Sequence, residues 1–165
     1  NQLDVLLLSE VWSTNLSYFD NLFPDFTLIT APPVSQRSGG VAALIKTSLN
    51  HQIITSSIDN DAFGSLAEFI VFDIYISDRK YRIYLFYRHP SNSIAEFNTL
   101  LTHFLSIHKP TKRSVYTGDI NIDLCKYETN NSVREYVDTL RSLPRVGSGK
   151  LRIDPPKTTR VVRGD

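Results

Sequence analysis

Three polar clusters each follow directly on a short apolar run: Ser9-Glu10-Val11-Trp12, Tyr87-Arg88-His89-Pro90 and Gly118-Asp119-Ile120-Asn121-Ile122-Asp123. A carboxylate placed immediately after an apolar strand, and repeated on two strands, suits a hard cation such as Mg²⁺. That ion takes one or two protein carboxylates and leaves its other positions to water and substrate phosphate. Strand ends are also where α/β sheets build their sites, because a rigid sheet aims side chains from distant sequence positions into one crevice. Each residue also has an ordinary reading. Glu10 can be a polar residue where the chain re-enters solvent, Asp119 a turn residue after Gly118, and Tyr87 a strand aromatic packed in the core with its hydroxyl wet. The histidines, His51, His89, His103 and His108, do not pair at ligand spacing and are read as structural or surface residues. Asp123 and Cys125 are read as part of the loop after the site and not of the site.

The elements that must position these clusters follow from periodicity. Residues 3–8 form an apolar run broken only by Asp4 and read as a buried strand. Leu16, Phe19, Leu22 and Phe23 recur at helical spacing over residues 15–23, ahead of Pro24. A loop follows from Ala31 to Ser38, and Gly39-Gly40 opens a strand over residues 41–46, with both glycines expected where a side chain would clash. Residues 66–76 and 80–87 read as a hairpin joined by Ser77-Asp78-Arg79. Ser93 with Glu96 is a capping box for a helix carrying Ile94, Phe97, Leu101, Phe104 and Leu105 on one face. A strand over 114–117 then runs into Gly118-Asp119. Ser132 and Glu135 repeat the capping pattern for a helix stopped near Pro144, and one edge strand is expected near residues 159–162. The order is β-α-β-β-β-α-β-α, one α/β domain with mixed strand pairing.

Composition bounds the rest. The chain has 165 residues, 41% hydrophobic and 21% charged, which is one domain's worth with enough apolar residues for a core. Disorder, collagen and coiled coil are excluded, and no apolar run approaches the roughly 18 residues of a membrane span. The one cysteine, Cys125, makes no internal disulfide or thiolate zinc site, so a metal here would be held by oxygen or imidazole. Net charge is +1, but residues 1–75 carry eight acids against two bases and residues 76–165 sixteen bases against nine acids. The basic second half, densest around Arg152, Lys157, Arg160 and Arg163, suits a polyanionic partner.

Taken in order, Leu6-Leu7-Leu8-Ser9-Glu10-Val11-Trp12, Ser38-Gly39-Gly40-Val41-Ala42, Tyr87-Arg88-His89-Pro90 and Thr117-Gly118-Asp119-Ile120-Asn121-Ile122-Asp123 resemble the endonuclease/exonuclease/phosphatase superfamily. The match is to its apurinic-endonuclease-like branch in non-LTR retrotransposons, which nicks target DNA ahead of reverse transcription. The resemblance covers nearly the whole chain, and Thr159-Arg160-Val161 is similar to the Thr-Arg element before that family's last motif. It implies an α/β, two-sheet α/β sandwich of the endonuclease/exonuclease/phosphatase type, incomplete, and metal-dependent phosphodiester hydrolysis with Mg²⁺ or Mn²⁺ as cofactor. It further implies that Glu10 binds the metal, Asp119 orients or deprotonates the attacking water, and Asn121 holds Asp119 or the scissile phosphate. Tyr87 would contact the phosphate, and Arg88 and Arg160 the DNA backbone. Implied partners are DNA and a reverse transcriptase domain in the same parent polyprotein, with no membrane and a nuclear or cytoplasmic location.

The chain departs from the family in having no opening strand that ends in a metal-supporting Asn and no Ser-x-x-Asp-His type motif. With no methionine at its start, residues 1–165 are therefore expected to be a single domain truncated at both ends, with weak or no nicking alone. His89 stands where the branch usually has Pro, and Ile120 where Phe is common. Competing readings are a binding module of the same ancestry without chemistry, a phosphoesterase for small phosphates or lipids, and adhesion through Arg163-Gly164-Asp165. Glu10, Tyr87, Asp119 and Asn121 are expected to converge at one end of the sheet.

Overall fold

The computed structural model describes residues 3–16, 18–34 and 38–144. In chain order the elements are β1 (Val5–Ser9), α1 (Tyr18–Leu22), β2 (Phe26–Ala31), β3 (Val41–Lys46), β4 (His51–Ser56), β5 (Ala67–Ile76), β6 (Arg79–Arg88), α2 (Ile94–Ile107), β7 (Ser114–Asp119) and α3 (Asn131–Ser142). They form two sheets, a three-stranded antiparallel one ordered β1-β3-β2 and a four-stranded one ordered β4-β5-β6-β7. The second sheet is mixed, because β6 and β7 run parallel while its other pairs are antiparallel.

Burial explains the composition of the central strands. Side chains alternate between the two faces of a strand, so a strand between two covered faces must be apolar or have its polar groups bonded. β5 has eight consecutive buried residues, apolar except for Glu68 and Asp73, which bond His89 and Arg82. Ile70, Phe72 and Ile74 of β5, with Ile83, Leu85 and Tyr87 of β6, meet Ile29, Ala31, Val41, Ala43 and Ile45 of the first sheet. The alternate residues Phe69, Val71, Tyr84 and Phe86 face α2 and α3 through Phe97, Leu101, Phe104, Tyr136 and Val137. Phe63, from the connection between β4 and β5, sits among this second set with ring centroids 5.3–5.5 Å from Phe69, Phe86, Phe97 and Phe104.

Several sequence expectations change. β2 and β4 were not expected. Both are edge strands, and β4 is half polar, with Gln52 and Ile53 exposed and a register shift between Ile53 and Thr55. The first helix is only the five residues of α1. The hairpin turn has two residues, Ser77 and Asp78, with φ of 48° and 62°. Positive φ at both central positions matches the right-handed twist of the strands it joins. Ser93 caps α2 by accepting from the Glu96 N–H at 3.2 Å, as expected. For α3 the cap is Asn130 rather than Ser132, its Oδ1 accepting from the Val133 N–H at 3.2 Å. The edge strand expected near residues 159–162 lies outside the described residues. No helix among the described residues is long and apolar enough to cross a membrane.

Candidate active site

The sheet registers bring the three clusters together. Tyr87, next to last in β6, lies opposite Asp119, which ends the parallel neighbour β7, and opposite Glu68, at the start of β5. Tyr87 points between the sheets, and its hydroxyl donates to Glu10 Oε1 at 3.0 Å, one residue beyond the end of β1. Glu10, Tyr87, Asp119 and Asn121 therefore meet at one end of the sandwich.

Glu10 reaches this place on an unusual backbone. Its φ is 57° and that of Trp12 is 52°, a left-handed conformation uncommon for side chains other than glycine and its small polar relatives. Two hydrogen bonds hold it, from Val11 N–H to Gly40 O at 3.3 Å and from Trp12 N–H to Gly39 O at 3.1 Å. Both glycines have positive φ. A Cβ on Gly39 would lie 2.9 Å from Glu68 Oε2, and one on Gly40 2.8 Å from Val11 Cγ2, so their structural role is that of close approach.

A second clasp fixes Asp119. Asn121, with φ 49°, donates its N–H to Asp119 Oδ1 at 3.0 Å and its side-chain Nδ2 to Arg88 O at 2.8 Å. Arg88 answers, donating from Nη2 to Asn121 O at 2.6 Å, from Nε to Ile120 O at 2.7 Å and from Nη1 to Asn92 O at 2.6 Å. Arg88 is 1% exposed, so the structure corrects its expected place at a DNA backbone: its guanidinium is turned inward and braces the loop after β7. Burial lowers its pKa, while the nearby Asp119 carboxylate works to raise it. Asn121 touches Asp119 through its backbone, and its side chain is spent on Arg88. Arg160 lies outside the described residues.

The electrostatics define what Tyr87 can do. Burial, then the hydrogen bond to Glu10, then the charges of Glu10, Asp119 and Glu68, push its pKa up to about 12. At neutral pH the hydroxyl is a neutral donor and not a base. Glu10 is exposed and oriented by that donor, and Asp119 is half-buried. Among the described residues no group of three or more His, Cys, Asp or Glu gathers into a ready metal cage. The carboxylates present fit a cation that relies on few protein oxygens and completes its shell with water and phosphate, as Mg²⁺ and Mn²⁺ do.

Sequence reasoning missed a buried pair beneath this site. Glu68 is wholly buried, with its Oε1 2.9 Å from His89 Nε2 and accepting from the Val34 N–H at 2.8 Å. Once the hairpin turn is recognised as two residues, the register places Glu68 opposite Tyr87. That signal was available in Ser77-Asp78.

No family model matches the chain, and no curated protein matches it in sequence. Solved structures do match its fold. The endonuclease domain of TRAS1, a telomere-specific non-LTR retrotransposon, superposes with TM-score 0.58 at 13% identity, over 84% of this chain and 57% of that one. An endonuclease/exonuclease/phosphatase family protein from Bacteroides thetaiotaomicron gives TM-score 0.56 at 12% identity, over 83% of this chain and 55% of that one. TDP2 of D. rerio, complexed with single-strand DNA product, gives 0.53 at 15% identity, over 78% and 51%. The chain spans about half the length of these structures. Its two-sheet α/β sandwich is the fold they share.

Proposed function

We propose that this chain carries part of the active site of a metal-dependent phosphodiesterase that nicks DNA. The observation that carries the reading is the meeting of Glu10, Tyr87 and Asp119, from the ends of three separate strands, on a fold shared with structures named as endonuclease and phosphatase family members. Glu10 would hold the cation, and Mg²⁺ or Mn²⁺ bound there supplies charge neutralisation to the phosphate. Asp119, fixed through Oδ1 by the Asn121 N–H, presents its carboxylate in a set direction to align the attacking water and accept its proton. Tyr87 brings a hydroxyl that stays protonated, so it can donate to phosphate oxygens as negative charge grows on them. Arg88 and Asn121 keep the loop after β7 in register with β6, and so keep Asp119 beside Tyr87.

DNA is favoured over smaller phosphate esters by the sixteen bases of residues 76–165 and by the motifs similar to retrotransposon endonucleases. On this reading the adjoining sequence in the gene encodes a reverse transcriptase. The test is nicking of supercoiled plasmid by the chain expressed with that adjoining sequence. Nicking is expected in Mg²⁺, lost in chelator, and reduced by Glu10→Gln. A binding module without chemistry would retain DNA in the same assay and leave the plasmid supercoiled whatever the metal, which would overturn the proposal.

A further inference from the structure

Trp12 is the largest exposed apolar side chain at the site. It is 61% exposed, although a tryptophan normally covers about 150–250 Å² of its surface and gains stability by doing so. Its backbone is left-handed at φ 52°, and its N–H is tied to Gly39 O at 3.1 Å. A bulky residue in that region is an outlier, and such strain persists where surrounding contacts impose it, most often at ligand sites. Here those contacts are the same two hydrogen bonds that set Glu10. The turn that delivers the carboxylate to Tyr87 also holds the indole out in solvent.

Distance limits what the indole can reach. Trp12 is two residues from Glu10, so their Cα atoms are within about 7 Å. That is about the separation between a phosphate and the base of a flanking nucleotide. We propose that Trp12 is a stacking platform for a nucleobase next to the phosphate held at Glu10, Tyr87 and Asp119. This rests on the reading of the site as one that acts on DNA. An aromatic face accepts any base, because every base has a π-face, so Trp12 adds affinity for unstacked or single-stranded positions without choosing the sequence. It is distinct from the chemistry, since neither metal nor water needs the indole.

Trp12 is the chain's one tryptophan, so its emission reports on this site directly. The experiment titrates the protein with a single-stranded oligodeoxynucleotide and with the same strand carrying abasic residues, and follows binding by anisotropy of an end label alongside indole emission. Saturable quenching by the base-bearing strand is expected. Trp12→Ala should weaken its binding by roughly fivefold to a hundredfold, the worth of one base–aromatic stack. Trp12→Phe should keep most of the affinity, and the abasic strand should bind wild type and Trp12→Ala alike. Binding by anisotropy with unchanged emission and unchanged affinity in Trp12→Ala would overturn the stacking role and leave the nuclease reading standing. Absence of binding by the base-bearing strand would likewise overturn the stacking role, while the nuclease reading is decided by the plasmid assay. Because Trp12 is exposed, both variants should keep the wild-type circular dichroism.

Discussion

Gly118→Ala tests how Asp119 is held. Gly118 sits in β7 opposite Phe86 of β6 with φ 120°. A Cβ there would overlap the Phe86 carbonyl oxygen and lie 2.8 Å from its carbonyl carbon and 2.9 Å from its nitrogen. Carbon contacts need about 3.5–4.0 Å, so the two strands must part by about 1 Å. That carries ladder hydrogen bonds beyond their usual limit of about 3.2 Å. Losing two of them costs about 1–3 kcal/mol, and forcing an alanine into this backbone region adds about 1–3 kcal/mol. The expected loss is therefore about 2–6 kcal/mol, a large share of a domain stability of about 5–15 kcal/mol. Gly118 is exposed, so no cavity or core clash confuses the result. Urea unfolding of both proteins measures it, and amide exchange across β6 and β7 shows where the damage falls. A loss under about 1 kcal/mol with the β6–β7 amides still protected would refute this account of why glycine precedes Asp119.

Asp73 provides a pH test. Burial alone would raise its pKa, but hydrogen bonds and charge from Arg82, with Lys80, outweigh this and hold the carboxyl below its ordinary value of 3.8. Because the folded pKa is depressed, the pair stabilises the fold above pH 3.8 and that stabilisation fades as pH falls through the folded value. Asp73→Asn should flatten the acid limb of stability against pH, and Arg82→Ala should cost roughly 3 kcal/mol at pH 7. An unchanged acid limb in Asp73→Asn would contradict it. Tyr87→Phe should slow single-turnover nicking about a hundredfold, with no titration of the wild-type hydroxyl below pH 10, since its pKa is pushed up to about 12. DNA affinity should fall linearly in log salt concentration. Neutralising Arg152, Lys157 or Arg160 should weaken it alike on every sequence, because phosphate contacts release counterions without reading bases.

The polar clusters were legible in the sequence because a carboxylate after an apolar run has few other reasons to recur, and the sheet registers then bring those clusters to one end. Long, doubly covered strands such as β5 were legible because burial on both faces leaves them rich in Ile, Val, Phe and Tyr, here interrupted only by Glu68 and Asp73. What escaped notice depends on pairing decided far away. Glu68 and His89 become neighbours only through the hairpin register, and one residue's difference in the turn would set Arg88 in place of Tyr87 opposite Glu68. Arg88 reads as a surface cation at a strand end, yet the carbonyls of Asn92, Ile120 and Asn121 need donors and the guanidinium supplies three. The edge strands β2 and β4 carry too little continuous burial to show a clear period.

The most direct test of the site compares wild type and Asp119→Ala, each expressed with the adjoining sequence of the gene, in single-turnover nicking with DNA affinity measured in parallel. Removing a positioned general base is expected to slow nicking by about 10²–10⁴-fold while affinity stays within about twofold, because Asp119 acts on the water and not on binding. An Asp119→Ala protein that nicks at the wild-type rate would contradict the assignment of this strand-end cluster as the catalytic centre.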